Sequence, residues 1–276
     1  MKTINAINGI NGIALHYARL PQHPYGTIGR PQDFKVEEGF FEILKTAFDE
    51  VFTNCPLGKP NVITCAGILV NKPGHHGLGK AFDLDAIFWD DHTLITNNFI
   101  HQKELYLGIE SYLRKHFGIV LNYLYPNHAD HWHFDTSVNV DYNESSKSET
   151  LYLQMVLKYI YGKSIIVDGI SGPQTRAATR EVFDRLGVSS PITTKVNYLK
   201  FLDITGKIAF KLSEEKVSPL QLLENLETVV ENLPTENKHG VSQALNSFVM
   251  HHDTSTWLNG LDDDHDLESI INDVIT

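Results

Sequence analysis

Cysteine is nearly absent. Two residues in 276, Cys55 and Cys65, cannot make a disulfide framework and close at most one small loop. No run of 18 apolar residues occurs, so no membrane span is expected. The first twenty residues also lack a basic segment followed by a short apolar core, which leaves no recognisable signal for the general export route. Basic residues are the scarcer sign, 23 Lys plus Arg against 34 Asp plus Glu. The net charge of −11 argues against nucleic acid or an anionic membrane as the main partner. With 42% hydrophobic and 10% aromatic residues the chain is neither disordered nor fibrous, and its length suits one large domain or two to three small ones.

The charge is uneven: −4 over residues 1–148, +3 over 149–200 and −10 over 201–276. The polar run from Asn143 to Glu149 reads as a linker, and Gly187 followed by Pro191 ends a helical pattern, so three regions are expected: 1–145, 150–190 and 191–276. In the first, Phe40, Phe41, Leu44, Phe48, Val51 and Phe52 recur at helical spacing. Leu105, Ile109, Leu113 and Phe117 do so before Gly118, a candidate C′ residue. Between and after them lie short β-rich runs, Val62–Thr64, Ala81–Phe88 and Asp130–Asp135. Strand alternation puts Asp83 and Asp85 on one face, and His131 and His133 on a common face opposite Trp132 and Phe134. This predicts an α+β domain with a small, mostly antiparallel sheet and flanking helices.

Five of the 14 histidines fall in two clusters, His75-His76 within Gly74–Asp83 and His128, His131 and His133 within His128–His133. A hydrolytic zinc site uses three protein ligands and leaves one position open for water. His76, Asp83 and His133 supply that set for one ion. Glycines 74, 77 and 79 let the chain turn sharply before the strand that delivers Asp83.

These residues resemble the zinc peptidases grouped as the lysostaphin, D-alanyl-D-alanine peptidase and hedgehog superfamily. His76-Gly77-Leu78-Gly79-Lys80-Ala81-Phe82-Asp83 matches their His-x-x-Gly-x-Ala-x-Asp motif, and Asp130-His131-Trp132-His133 matches their downstream element. The likeness covers roughly residues 10–140 and is nearest to the extensin-like and D-alanyl-D-alanine carboxypeptidase branches, which place a Cys upstream as Cys65 stands here. It departs where many relatives carry a Ser two residues before the first His and an Arg nearby; Gly74 and Lys72 occupy that neighbourhood. The resemblance implies Asp130 as general base, three residues before a ligand at the end of a strand, and His131 as a second catalytic residue at the oxyanion. His75, His128 and Asp85 read as bystanders or supporting partners. Tyr123, Tyr125 and Trp132 are candidates for a substrate groove, with core packing the favoured reading.

In the second region Leu151, Leu153, Val156, Leu157 and Ile160 form an apolar helical face closed by Gly162, and Pro173 starts another helix. The run from Asp168 to Ala178 is similar to the Asp-Gly-x-x-Gly-Pro-x-Thr-x-x-Ala loop of the three-helix peptidoglycan-binding module. That likeness implies wall-binding roles for Asp168, Gly169, Gly172, Pro173 and Thr175. In the third, acidic region a capping box at Ser218–Gln221 opens a helical pattern through Leu233, Val241–Met250 is a second one, and Asp262–Glu268 reads as a solvated acidic loop. Together these features predict a zinc-dependent peptidase acting on peptide stems or cross-links of bacterial peptidoglycan. The alternative is a non-catalytic wall-binding protein whose zinc is structural and fully enclosed by protein ligands. The expected workplace is the periplasm or cell wall, reached by an injection apparatus or a phage lysis route, with the acidic C-terminal region as a docking surface for a delivery apparatus or inhibitor.

Overall fold

A computed structural model describes residues 3–215 together with Leu267, Ile270, Ile271, Asn272, Val274 and Ile275. The chain opens with strands β1 (Ile4–Ile7), β2 (Gly9–Ile10), β3 (Ile13–Tyr17), β4 (Arg30–Pro31) and β5 (Phe34–Glu37). Helix α1 (Glu38–Asn54) follows, then β6 (Val62–Gly67), β7 (Ala81–Phe88) and β8 (Thr93–Ile95). Helix α2 (Lys103–His116), β9 (Ile119–Leu121) and β10 (Trp132–Asp135) complete the first region, and α3 (Lys147–Tyr159), α4 (Pro173–Arg185) and α5 (Lys195–Glu215) come after it. The class is α+β. The main sheet runs β2-β3-β6-β7-β10-β9, with β4 on β3 and β8 on β7; β1 and β5 form a separate pair. Every pairing is antiparallel except β3 with β6.

The apolar stripe expected on α1 is the buried one, through Phe40, Leu44, Ala47, Phe48, Val51 and Phe52, and Glu37 caps the helix by accepting from the Phe40 amide at 2.9 Å. Phe48 meets Phe82 and Phe134 of the sheet edge-on, at 5.7 and 6.3 Å. Helix α2 differs from an amphipathic surface helix: Glu104 to Arg114 are all buried, because the sheet lies on one side and α3 and α5 close the other. Gly118 follows α2 as expected but is not in the left-handed region. Its role is close approach, since a Cβ there would lie 2.2 Å from the Val138 carbonyl oxygen.

Alternation along β7 is not continuous. Thr64 pairs with Ala86 and Cys65 with Leu84, so Asp85 is the extra residue of a β-bulge. Phe82, Leu84 and Ile87 accordingly face the main core, while Ala86 and Phe88 join a small second cluster with Val62. Cys55 and Cys65 are free thiols in the main core rather than a disulfide: Cys55 caps α1 and Cys65 lies within the central strand β6. Burial pushes the Cys55 thiol up to about 12.

The run from Asn143 to Glu149 is a helix start rather than a free linker. Ser146 accepts from the Glu149 amide and Glu149 reaches back to the Asn143 amide. The third helix of the second region, α5, begins beyond residue 190 and lies along α2, where Gly108 receives Phe210 and Gly206 receives Tyr112. The patterns at Ser218–Leu233 and Val241–Met250 and most of the acidic run at Asp262–Glu268 lie outside the described residues. Among the described residues no helix is long and apolar enough to cross a membrane.

Candidate metal centre

The Gly-rich segment builds one turn. Gly74 and Gly79 take φ of +90° and +66°, and a Cβ on Gly77 would sit 2.2 Å from the Lys72 carbonyl oxygen, so all three glycines are needed to fold the chain back on itself. The short 3-10 turn His76–Leu78 thereby drops His76 into the interior, 3% exposed. Asp83 arrives on β7, and His133 stands directly opposite it on β10 in the antiparallel register.

Three acceptor atoms converge there. His76 Nε2 lies 3.0 Å from Asp83 Oδ1 and 3.1 Å from His133 Nδ1, which is itself 2.8 Å from Asp83 Oδ1. The outer ring nitrogens explain why these atoms face inward as lone pairs. His76 Nδ1 donates to the Ile68 carbonyl at 2.9 Å, and His133 Nε2 donates to Asp135 Oδ2 at 3.0 Å. Two imidazole lone pairs and a carboxylate oxygen at 3 Å repel unless a cation sits among them. The edges are close to the roughly 3.4 Å expected between tetrahedral ligands at zinc bond lengths. Among the described residues these three form the one His/Cys/Asp/Glu group so gathered, and no fourth such ligand joins it. Without a metal ion, a proton on His133 plays the part of that cation. Burial disfavours the Asp83 carboxylate, but its bonds to His133 and His76 outweigh that and hold the carboxyl well below the usual range. Burial likewise opposes a charged His133, yet Asp135 and Asp83 overcome it and raise the ring to about 9.

Beside this centre His131 Nδ1 donates to Asp130 Oδ1 at 2.7 Å, which turns Nε2 toward Asp83 Oδ1, 3.8 Å away. The His128 ring lies 4.9 Å from His131 and 5.9 Å from His133, walling that side. Asp130 Oδ2 accepts from Arg19 Nη1 at 2.8 Å, so both of its oxygens are engaged, and these bonds lower its carboxyl against the opposing effect of burial. Arg19 also grips Asp85, whose burial still raises its carboxyl to about 6.

His76, Asp83 and His133 are thus brought together, with Asp130 and His131 adjacent. Arg19 and Asp135 were not anticipated. Asp135 extends the period-two face of His131 and His133, a signal present in the sequence. Arg19 is separated from its partners by 66 and 111 residues, and no local pattern marks it. Trp132 is core as expected, stacked on Tyr106 at 4.0 Å between ring centres.

In the second region the motif loop wraps the Gln154 side chain, with Thr175 buried and Asp168 and Pro173 exposed. The Gln154 side chain accepts from the Asp168 and Gly169 amides at 3.0 and 2.7 Å and donates to Asp168 Oδ1, the Ile170 carbonyl and Thr175 Oγ1. Gly169 has a positive φ of 76°, whereas Gly172 is the extended N-cap before Pro173. Asp168, Gly169 and Thr175 therefore shape the loop around Gln154. A shallow groove beside them is lined by Leu153, Arg176, Arg180, Phe183, Pro191 and Ile192.

Compared with family models, curated proteins and solved structures, the chain matches none.

Proposed function

We propose that this chain is a zinc-dependent peptidase of bacterial peptidoglycan, cleaving peptide stems or cross-links, with its second region serving as a wall-binding module. The observation that carries the reading is the convergence of His76 Nε2, Asp83 Oδ1 and His133 Nδ1 with no fourth protein ligand among the described residues. That donor set suits zinc, and three ligands leave room for a reacting group, which disfavours a purely structural ion. The resemblance of the two histidine motifs to the superfamily named above supplies the substrate class.

Bound zinc supplies Lewis acidity at the scissile carbonyl and to an attacking water. The protein supplies the rest. Asp130 fixes the His131 tautomer so that Nε2 faces the centre as a base, accepts the proton there, and returns it to the leaving amine. The Asp130 carboxylate stabilises the imidazolium formed in that transfer. We assign His131 the proton-accepting role expected above of Asp130, because the bonds from His131 and Arg19 hold the Asp130 carboxyl below its ordinary range and make it the weaker base. The workplace that goes with this substrate is the periplasm or cell wall.

Mass spectrometry of soluble muropeptides incubated with the protein tests this. A mass change of one hydrolysed amide that disappears with chelator and returns with zinc is the expected result. No cleavage by a protein shown to hold stoichiometric zinc overturns the enzymatic reading.

A further inference from the structure

We propose that Arg19 is a positioning residue that locks Asp130, and through it the His131 imidazole, to the buried carboxylate of Asp85. The inference rests on the peptidase reading of the centre and goes beyond it by assigning a second layer of residues.

The geometry is a fork with two ends. Arg19 Nε and Nη2 hold Asp85 Oδ2 and Oδ1 at 2.9 and 2.7 Å, a bidentate pair, while Nη1 holds Asp130 Oδ2 at 2.8 Å and Nη2 lies 3.5 Å from the Asp130 carbonyl. The two carboxylates differ in exposure. The Asp85 side chain is fully buried at the bulge of β7, and the Asp130 side chain is 43% exposed on the segment that leads into β10. A half-exposed aspartate on a loop has several rotamers open to it; a guanidinium anchored on a rigid strand leaves one.

The anchor is itself braced. Arg19 stacks over the Tyr25 ring at 5.3 Å, the Tyr25 hydroxyl bonds Thr96 Oγ1 at 2.9 Å, and Thr96 Oγ1 donates to the Asp85 carbonyl at 2.9 Å. Arg19 thus closes a ring of contacts running Asp85, Arg19, Tyr25, Thr96 and back to Asp85. Because the fork is occupied by two carboxylates, its effect on the reacting atoms runs through Asp130. A lysine keeps the charge that Asp85 requires but cannot span both carboxylates from one planar group.

The variants Arg19→Lys and Arg19→Ala, loaded with zinc, separate this role from a contribution to folding. Zinc stoichiometry should equal wild type in both, since Arg19 touches no ligand atom. Nitrogen-15 NMR of the histidine side chains should show the His131 Nδ1 proton protected from exchange in wild type and lost in Arg19→Lys, with the His76 and His133 signals unchanged. Turnover of soluble muropeptides should fall about 10- to 100-fold at unchanged KM, and added guanidinium ion should restore part of it to Arg19→Ala. The proposal is overturned if the His131 proton stays equally protected in a folded Arg19→Lys protein. It also fails if guanidinium restores nothing to a folded Arg19→Ala protein, or if zinc is lost along with activity. Should the wild type cleave nothing, the peptidase reading fails while the His131 signal still decides the clamp.

Discussion

His133 is pulled by a carboxylate at each ring nitrogen, Asp83 at Nδ1 and Asp135 at Nε2. In metal-free protein that raises its folded value to about 9, above the ordinary 6.5. A raised folded value means the contribution to stability is full below about 6.5 and is lost as pH climbs through about 9. The urea midpoint of chelated protein should therefore drop between pH 6 and 9.5. Zinc should flatten that drop, because the ion replaces the proton held between His133 and Asp83. A midpoint that does not fall in chelated protein would contradict the assignment. Asp135 acts one atom further out. Asp135→Asn removes the carboxylate charge that holds the His133 Nε2 proton and should weaken zinc binding about 10- to 100-fold, measured by competition with a chromophoric chelator. Asp130→Asn is expected to behave differently: full zinc content and fold, with turnover lower by about 10²- to 10⁴-fold.

At the scale of elements, the site is set by one register and one bulge. The antiparallel pairing of β7 with β10 makes Asp83 and His133 direct neighbours, and the bulge at Asp85 reverses the strand's phase so that Ile87 returns to the core. Helix α2 shows how tightly the surrounding elements fit. A Cβ on Gly108 would stand 2.5 Å from the Phe210 ring of α5. Gly to Ala raises helix propensity by about 1 kcal/mol, whereas overpacking a filled interface costs about 1–3 kcal/mol. Because Phe210 is buried and stacked on Tyr112, displacing it breaks that stacking, and Gly108→Ala should lower stability in a denaturant titration. An increase would show that α5 lies more loosely on α2 than the contact indicates.

For the whole molecule, the helices after residue 146 are part of the fold that carries the metal centre. Arg114 of α2 pairs with Glu110 and donates to the Ser148 carbonyl, Ser148 Oγ and the Val120 carbonyl, all in the interior. Glu110 in turn accepts from Trp132 Nε1 at 3.4 Å, on the strand between His131 and His133. Ser111 Oγ bonds the Tyr152 hydroxyl at 2.7 Å. Removing α3 would strip Arg114 of its Ser148 acceptors and uncover the apolar side of α2 together, and the loss of that buried apolar area is strongly destabilising. Deleting residues 147–190 should therefore abolish cleavage of soluble muropeptides and binding to insoluble sacculi alike, with loss of the cooperative melting transition. A deletion that kept soluble turnover and lost only sacculus binding would show instead that the second region is a separable anchor.

The sequence by itself carried the local chemistry: the helix stripes of α1 and α2, the glycine turn before Asp83, the two histidine clusters, and Pro173 at the start of α4. Each follows from short-range rules of backbone freedom and periodicity, which are readable within a few residues. Only the tertiary structure decided that Arg19 joins Asp85 to Asp130, that Gln154 gathers the Asp168 loop and that α5 packs along α2. Those outcomes depend on contacts between residues tens to more than a hundred positions apart, and on the phase of one bulge. A one-residue change in strand phase moves a side chain to the opposite face, and no local pattern of apolar residues records it.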